Sequence, residues 1–139
     1  MKKNNTNTKT LLAILFGMFA LIGNTFAAEK VVASGSWTKK EHSIAGTWKI
    51  IDYGSKVRIK FFGLKTKKAP DLKVFLHPKG ISEVTAKNAL SGSKFISKLT
   101  SHKGYQEYDL PAGVKWQNYK SILIHCEKYT KLWGGANLK

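Results

Sequence analysis

The sequence is poor in sulfur. One cysteine, Cys126, stands among 139 residues, and both methionines, Met1 and Met18, fall near the start. A single thiol excludes a disulfide scaffold within the chain, a cysteine-rich zinc site and an iron–sulfur cluster held by cysteines. Acids are scarce as well: 8 Asp and Glu face 24 Lys and Arg, for a formal charge of +16, which excludes an acidic solvating chain. Arginine is almost absent, with Arg58 alone among the bases. The apolar share of 42% belongs to a folded domain rather than to a disordered polyelectrolyte.

What is present begins with a leader. Lys2, Lys3 and Lys9 form a positive start, no acid precedes Glu29, and Leu11 to Ile22 is an apolar run of twelve residues. That run falls short of the roughly 20 residues a spanning helix needs. Thr25 and Ala27 then place small side chains at the −3 and −1 positions before Ala28. This three-part layout is that of a secretory signal peptide. The expected division is therefore 1–27 signal peptide and 28–139 a single exported domain, periplasmic or secreted. Without the three leader lysines, 21 bases remain against 8 acids, a charge of +13, and no methionine is left. No cysteine lies at the cleavage point to take a lipid, and no transmembrane segment is expected in the mature chain.

The mature chain alternates. In Lys56-Val57-Arg58-Ile59-Lys60-Phe61, charges occupy one face of a strand while Val57, Ile59 and Phe61 occupy the other. Upstream, Gly46, Trp48 and Ile50 oppose Thr47 and Lys49, and Asp52-Tyr53-Gly54-Ser55 between the two runs has the chemistry of a tight reversal. A hairpin is predicted. Leu72 to Leu76 and Tyr105 to Leu110 read as further strands, each closed by a proline, at Pro78 and Pro111. Ser121 to Cys126 carries apolar residues on both faces, as a central strand covered on both sides does. Helix propensity is confined to Ser82–Leu90, enough for one turn. The expected class is all-β: one sandwich or barrel-like domain of about seven to eight short strands.

Three segments resemble the DM13 domain family: Ser43-Ile44-Ala45-Gly46-Thr47-Trp48; Ala69-Pro70-Asp71-Leu72-Lys73-Val74-Phe75-Leu76; and Gly104-Tyr105-Gln106-Glu107-Tyr108-Asp109-Leu110-Pro111, continuing through Tyr119 to Cys126 and on to Ala136-Asn137-Leu138. They follow the family's order over nearly the whole mature chain. The resemblance implies a small extracytoplasmic β domain with a signature cysteine on a late strand, which matches Cys126. It further implies electron transfer or oxidative modification, through a bare thiol or through a ligated group such as haem. Glu127 after the cysteine departs from the family's pattern, and Gly134-Gly135 is expected to loosen the segment before Ala136.

Two readings of Cys126 follow. It is a redox thiol, or it is a core-filling thiol of the kind that makes free cysteine one of the most buried residue types. Strand alternation puts Cys126 on the face of Ile122 and Ile124 and turns His125 the other way. A base for the thiol must then come from His77, His102 or a lysine. A blue-copper set is missing, because Glu127-Lys128-Tyr129-Thr130-Lys131 follows the cysteine and no axial methionine exists. The Cys-x-x-Cys-His signature of covalent haem is also missing, which leaves non-covalent haem, held by Cys126 or by a histidine, as the cofactor to test. His42, His77, His102 and His125 stand singly, and no metal set is expected. The partner of the redox reading is an unidentified redox protein of the cell envelope.

A binding module of a different class is the alternative. Lys56, Arg58 and Lys60 line one strand face, and Lys65, Lys67 and Lys68 gather in an expected loop. Such a surface attracts an anionic envelope polymer, or serves simply as a solvating coat. Nucleic acid is not expected, since readers of DNA and RNA favour arginine forks and this exported chain has one arginine, although Trp37, Trp48, Trp116 and Trp133 supply aromatics.

Overall fold

A computed structural model describes residue 23 and residues 28–139, so the expected signal peptide lies, apart from Gly23, outside the described residues. The described chain folds into two antiparallel sheets packed face to face. The first contains β1 (Lys30–Ser36), β3 (Ile44–Asp52), β4 (Val57–Thr66) and β7 (Lys103–Asp109), in the order β1-β3-β4-β7. The second contains β2 (Thr38–Lys39), β5 (Leu72–His77), β6 (Lys94–Lys98), β8 (Ser121–Cys126) and β9 (Lys131–Asn137), in the order β2-β9-β8-β5-β6. The all-β class stands, with nine strands in place of seven or eight.

The predicted hairpin is β3–β4. Asp52 pairs with Val57, the Asp52 carboxylate accepts the Gly54 N–H at 2.7 Å, and Gly54 takes φ +82°, a conformation that glycine adopts without steric cost. Alternation does the rest: Ile59 and Phe61 are wholly buried, while Arg58 and Lys60 face outward. Between the sheets, Phe61 meets Trp37 edge-on at 4.8 Å and Tyr108 at 5.4 Å, with Trp48, Ile50, Val74, Leu76, Ile122, Ile124 and Cys126 in the same core. All four tryptophans are buried, so they pack the core and offer no stacking surface.

The outer face of the second sheet has its own cover. Phe75, Leu123 and Leu132 pack under Ile81, Val84 and Ala89, from the segment between β5 and β6. The single turn expected within Ser82–Leu90 is a three-residue 3-10 turn, Ile81–Glu83. Asn88 ends it by accepting from the Thr85 N–H at 2.8 Å and donating to the Glu83 carbonyl at 3.0 Å, local bonds that compete with helix. Covered on both sides, β8 is buried at every one of its six residues.

Gly134 and Gly135 do not loosen β9. Both are buried within it, and a Cβ on Gly135 would stand 2.4 Å from Ile81 Cδ1 and 2.6 Å from the Ile122 carbonyl oxygen. The pair allows close approach on both faces of the sheet, since a Cβ on Gly134 would meet Ile44 at 2.8 Å from the other side.

Candidate functional site

Cys126 ends β8, opposite Leu72 of β5 and Lys131 of β9. It has no exposure, and its side chain joins Ile122 and Ile124 in the core between the sheets. His125 faces outward toward Phe75, with ring centroids 6.3 Å apart, so the neighbouring thiol and imidazole do not pair. His77 is no base for it either. That residue pairs with Ser121 at the far end of β8, and its ring already bonds the Asn88 carbonyl and the Lys79 N–H, each at 3.0 Å. His102 lies at the same end of the sandwich as Cys126, lining a cleft with Leu72.

The turn after the cysteine is exposed but tied down. Thr130 adopts φ +49° there, and its N–H bonds the Glu127 carbonyl at 3.2 Å. Asp71, just before β5, holds the turn in two places: its carbonyl accepts from the Glu127 N–H at 3.3 Å, and its carboxylate accepts from the Lys128 N–H at 3.0 Å. Lys73 bridges Asp71 and Glu127, and the Glu127 hydrogen bond, then that to Asp71, holds its ammonium above the ordinary lysine value. The Glu127 charge is therefore engaged by Lys73, one strand away.

Of the expected basic residues, Arg58 and Lys60 are not free. The Arg58 guanidinium donates to Asp109 at 2.6 Å and to Glu107 at 2.8 Å, which lowers the Asp109 carboxyl below its usual range. The Tyr53 phenol first, and then Glu29 at 3.0 Å, raise the Lys60 ammonium well above its ordinary value. Lys56 is exposed in the turn before β4 rather than on the strand face. Lys65 lies within β4 and not in a loop, because the strand continues past an irregularity between Phe61 and Leu64 to pair Lys65 with Lys103. Lys67 and Lys68 do lie in the connection to β5. The structure adds three groups to this end: Lys98, His102 and Lys103. They come from a segment some thirty residues later, and no local pattern could have joined them to Lys65–Lys68.

His125 is the other unusual group. Its ring is 1% exposed, and Nδ1 has no hydrogen-bond partner among the described residues. Burial pushes its pKa below the ordinary 6.5, against the opposing charges of Glu127, Glu41 and Asp71. The unfolded chain, where the imidazole is solvated, takes up a proton near its ordinary pKa before the folded one does. Stability attributable to His125 is therefore complete above about pH 6.5 and falls as the pH drops below it. Urea midpoints at pH 7.5, 6.0 and 5.0 should show wild type losing ground to His125→Leu at the lower values. A constant difference would contradict this.

A haem on Cys126 does not fit this arrangement. The thiol is enclosed by packed apolar side chains, and the cleft beside Leu72, of about 190 Å³, does not include it. That volume is also below the roughly 300 Å³ at which ligand pockets begin. No group of three or more His, Cys, Asp or Glu among the described residues is arranged to hold a metal ion.

A family model described as electron transfer DM13 matches residues 36–138. The chain belongs to that family. No curated protein and no solved structure matches it. The match runs from the end of β1 to just beyond β9, so the whole sandwich except most of its first strand is the DM13 domain, and Cys126 lies inside it. The family supports a redox or electron-transfer role in general.

Proposed function

We propose that this DM13 domain is an exported redox accessory module whose reactive group is Cys126, and that the thiol works from behind a gate. The observation that carries the reading is the position of Cys126: it is the last residue of a buried strand, next to an exposed four-residue turn held to Asp71. Short, exposed segments with few apolar contacts open at far lower free energy than the core around them. Opening of this turn would bring the thiol to solvent without unfolding the sandwich. The leader pattern supports export.

A single sulfur limits the chemistry. The chain cannot close a disulfide within itself, so any two-electron step takes its second atom from elsewhere. Attack of the Cys126 thiolate on a partner's disulfide forms a mixed disulfide and releases one partner thiolate; attack on a peroxide forms the sulfenic acid and releases hydroxide.

The reading is tested by loosening the gate. An aromatic disulfide reagent at neutral pH should modify Cys126 in the folded protein slowly, as followed by intact mass. Asp71→Ala removes the hydrogen bond that its carboxylate accepts from the Lys128 N–H in the turn, along with its ion pair to Lys73 in β5, and should speed the modification about fivefold to tenfold, the factor expected for roughly 1 kcal/mol or slightly more. Equal rates in the two proteins would reject the gate.

A further inference from the structure

Five lysines gather at the Cys126 end of the sandwich from segments distant in sequence. Lys65 is near the end of β4, Lys67 and Lys68 follow it, Lys98 closes β6 and Lys103 opens β7. All five are exposed, and none forms an ion pair among the described residues. Lys65 stands directly opposite Lys103 in the ladder, a like-charge cross-strand pair that works against folding. One carboxylate borders the group, Asp71, and both its oxygens are engaged: Oδ1 by the Lys73 ammonium at 3.3 Å, Oδ2 by the Lys128 N–H at 3.0 Å.

The contrast with the outer face of the first sheet is sharp. There Glu29, Glu107 and Asp109 neutralise Lys60 and Arg58. Lys49 stands opposite Lys60 on that face as well, but there Glu29 pairs with Lys60, whereas neither Lys65 nor Lys103 meets an acid among the described residues. The surface is also shaped. A cleft of about 190 Å³ opens between Lys68 and Lys98, floored by Leu72 and flanked by His102. A second groove, of about 260 Å³, lies beside Ser43 and Ile44 and is bordered by Lys65 and Lys67. The Lys65–Lys68 segment is the ridge between them. Each depression is too small for a drug-sized ligand and suits one anionic group.

We infer that this end of the domain binds a linear phosphate-bearing polymer, with phosphates seated in the two depressions on either side of the Lys65–Lys68 ridge. Lysine is a compact point charge with three donors and a common phosphate binder, whereas planar bidentate recognition would need an arginine, and the one arginine, Arg58, is bound to Asp109 and Glu107. Bound phosphates would also relieve the repulsion between Lys65 and Lys103. The site omits Lys56, Arg58 and Lys60, and it adds Lys98, Lys103 and His102.

Long-chain inorganic polyphosphate is the probe, with binding measured by titration across a salt series. Wild type should bind at low salt and weaken steeply as salt rises. The variant K65Q/K67Q/K68Q/K98Q should lose at least tenfold in affinity, and its salt slope should fall by about 3, at roughly 0.7 per contact. The control K30Q/K56Q/K115Q/K139Q removes the same charge from exposed positions elsewhere and should lose less than threefold. Cys126→Ala should bind as wild type does, so failure here and failure of the redox reading are separate results. Equal losses in the two charge variants would overturn the site, as would no binding at low salt. Monomeric phosphate binding as tightly as the polymer would overturn it too, and so would binding to anionic phospholipid vesicles without binding to polyphosphate.

Discussion

Gly135→Ala should lower the stability of the domain by about 3 kcal/mol, the upper part of the range for overpacked cores. The added methyl would lie 2.4 Å from Ile81 Cδ1, 2.6 Å from the Ile122 carbonyl oxygen and 3.1 Å from Leu123 Cδ2. The isoleucine could turn aside, but the carbonyl belongs to the buried neighbouring strand β8, and moving it breaks the pairing of β8 with β9. Gly54→Ala makes the comparison. Nothing lies within 4 Å of a Cβ there, and φ is +82°, so the cost is the left-handed conformation alone, about 1 to 2 kcal/mol. Urea denaturation of both variants measures the difference. A Gly135→Ala protein within about 0.5 kcal/mol of wild type would mean that Ile81 and β9 are not packed in this way, since changes of that size belong to unconstrained surface sites.

Two adjacent phenylalanines should differ as strongly. Phe61 is fully buried between Trp37 and Tyr108, and Phe61→Ala should cost about 3 to 5 kcal/mol through lost burial and a residual cavity. Phe62 points the other way, half-buried beside Tyr105 at 5.4 Å with the Lys49 ammonium over its ring. Phe62→Ala should cost about 1 kcal/mol, the scale of an exposed aromatic pair and one cation–π contact. Similar losses for the two would show that β4 does not present its faces as described.

The strands that could be read from the chain are those whose side chains carry a clear period. The β3–β4 hairpin alternates strictly from Lys56 to Phe61, and β5 and β8 are short apolar runs closed by turn residues. The others lack that signal for identifiable reasons. In β1 the adjacent pair Val31-Val32 and four small residues give no alternation, while β6 is a lysine-flanked edge strand with Phe95 46% exposed and Ile96 buried. In β9 two glycines interrupt the pattern, and their purpose depends on Ile81 for Gly135 and Ile44 for Gly134, each more than fifty residues earlier. The site divides in the same way. Period two alone put Cys126 with Ile122 and Ile124 and turned His125 away. It also found the face of Arg58 and Lys60, but not the acids that meet them, which arrive from Glu107 and Asp109 on β7 and from Glu29 just before β1. Charge pairing across a sheet depends on register, and register is not local.

The central claim is that Cys126 reaches solvent by opening of its turn while the sandwich stays folded. Its most direct test is the rate of Cys126 modification by a disulfide reagent across a series of urea concentrations below the unfolding transition. Local opening exposes little surface, so the logarithm of the rate should stay nearly flat at low urea and rise only where global unfolding takes over. A rate that climbs from zero urea with the full slope of global unfolding would contradict the account and make Cys126 a structural thiol of the core.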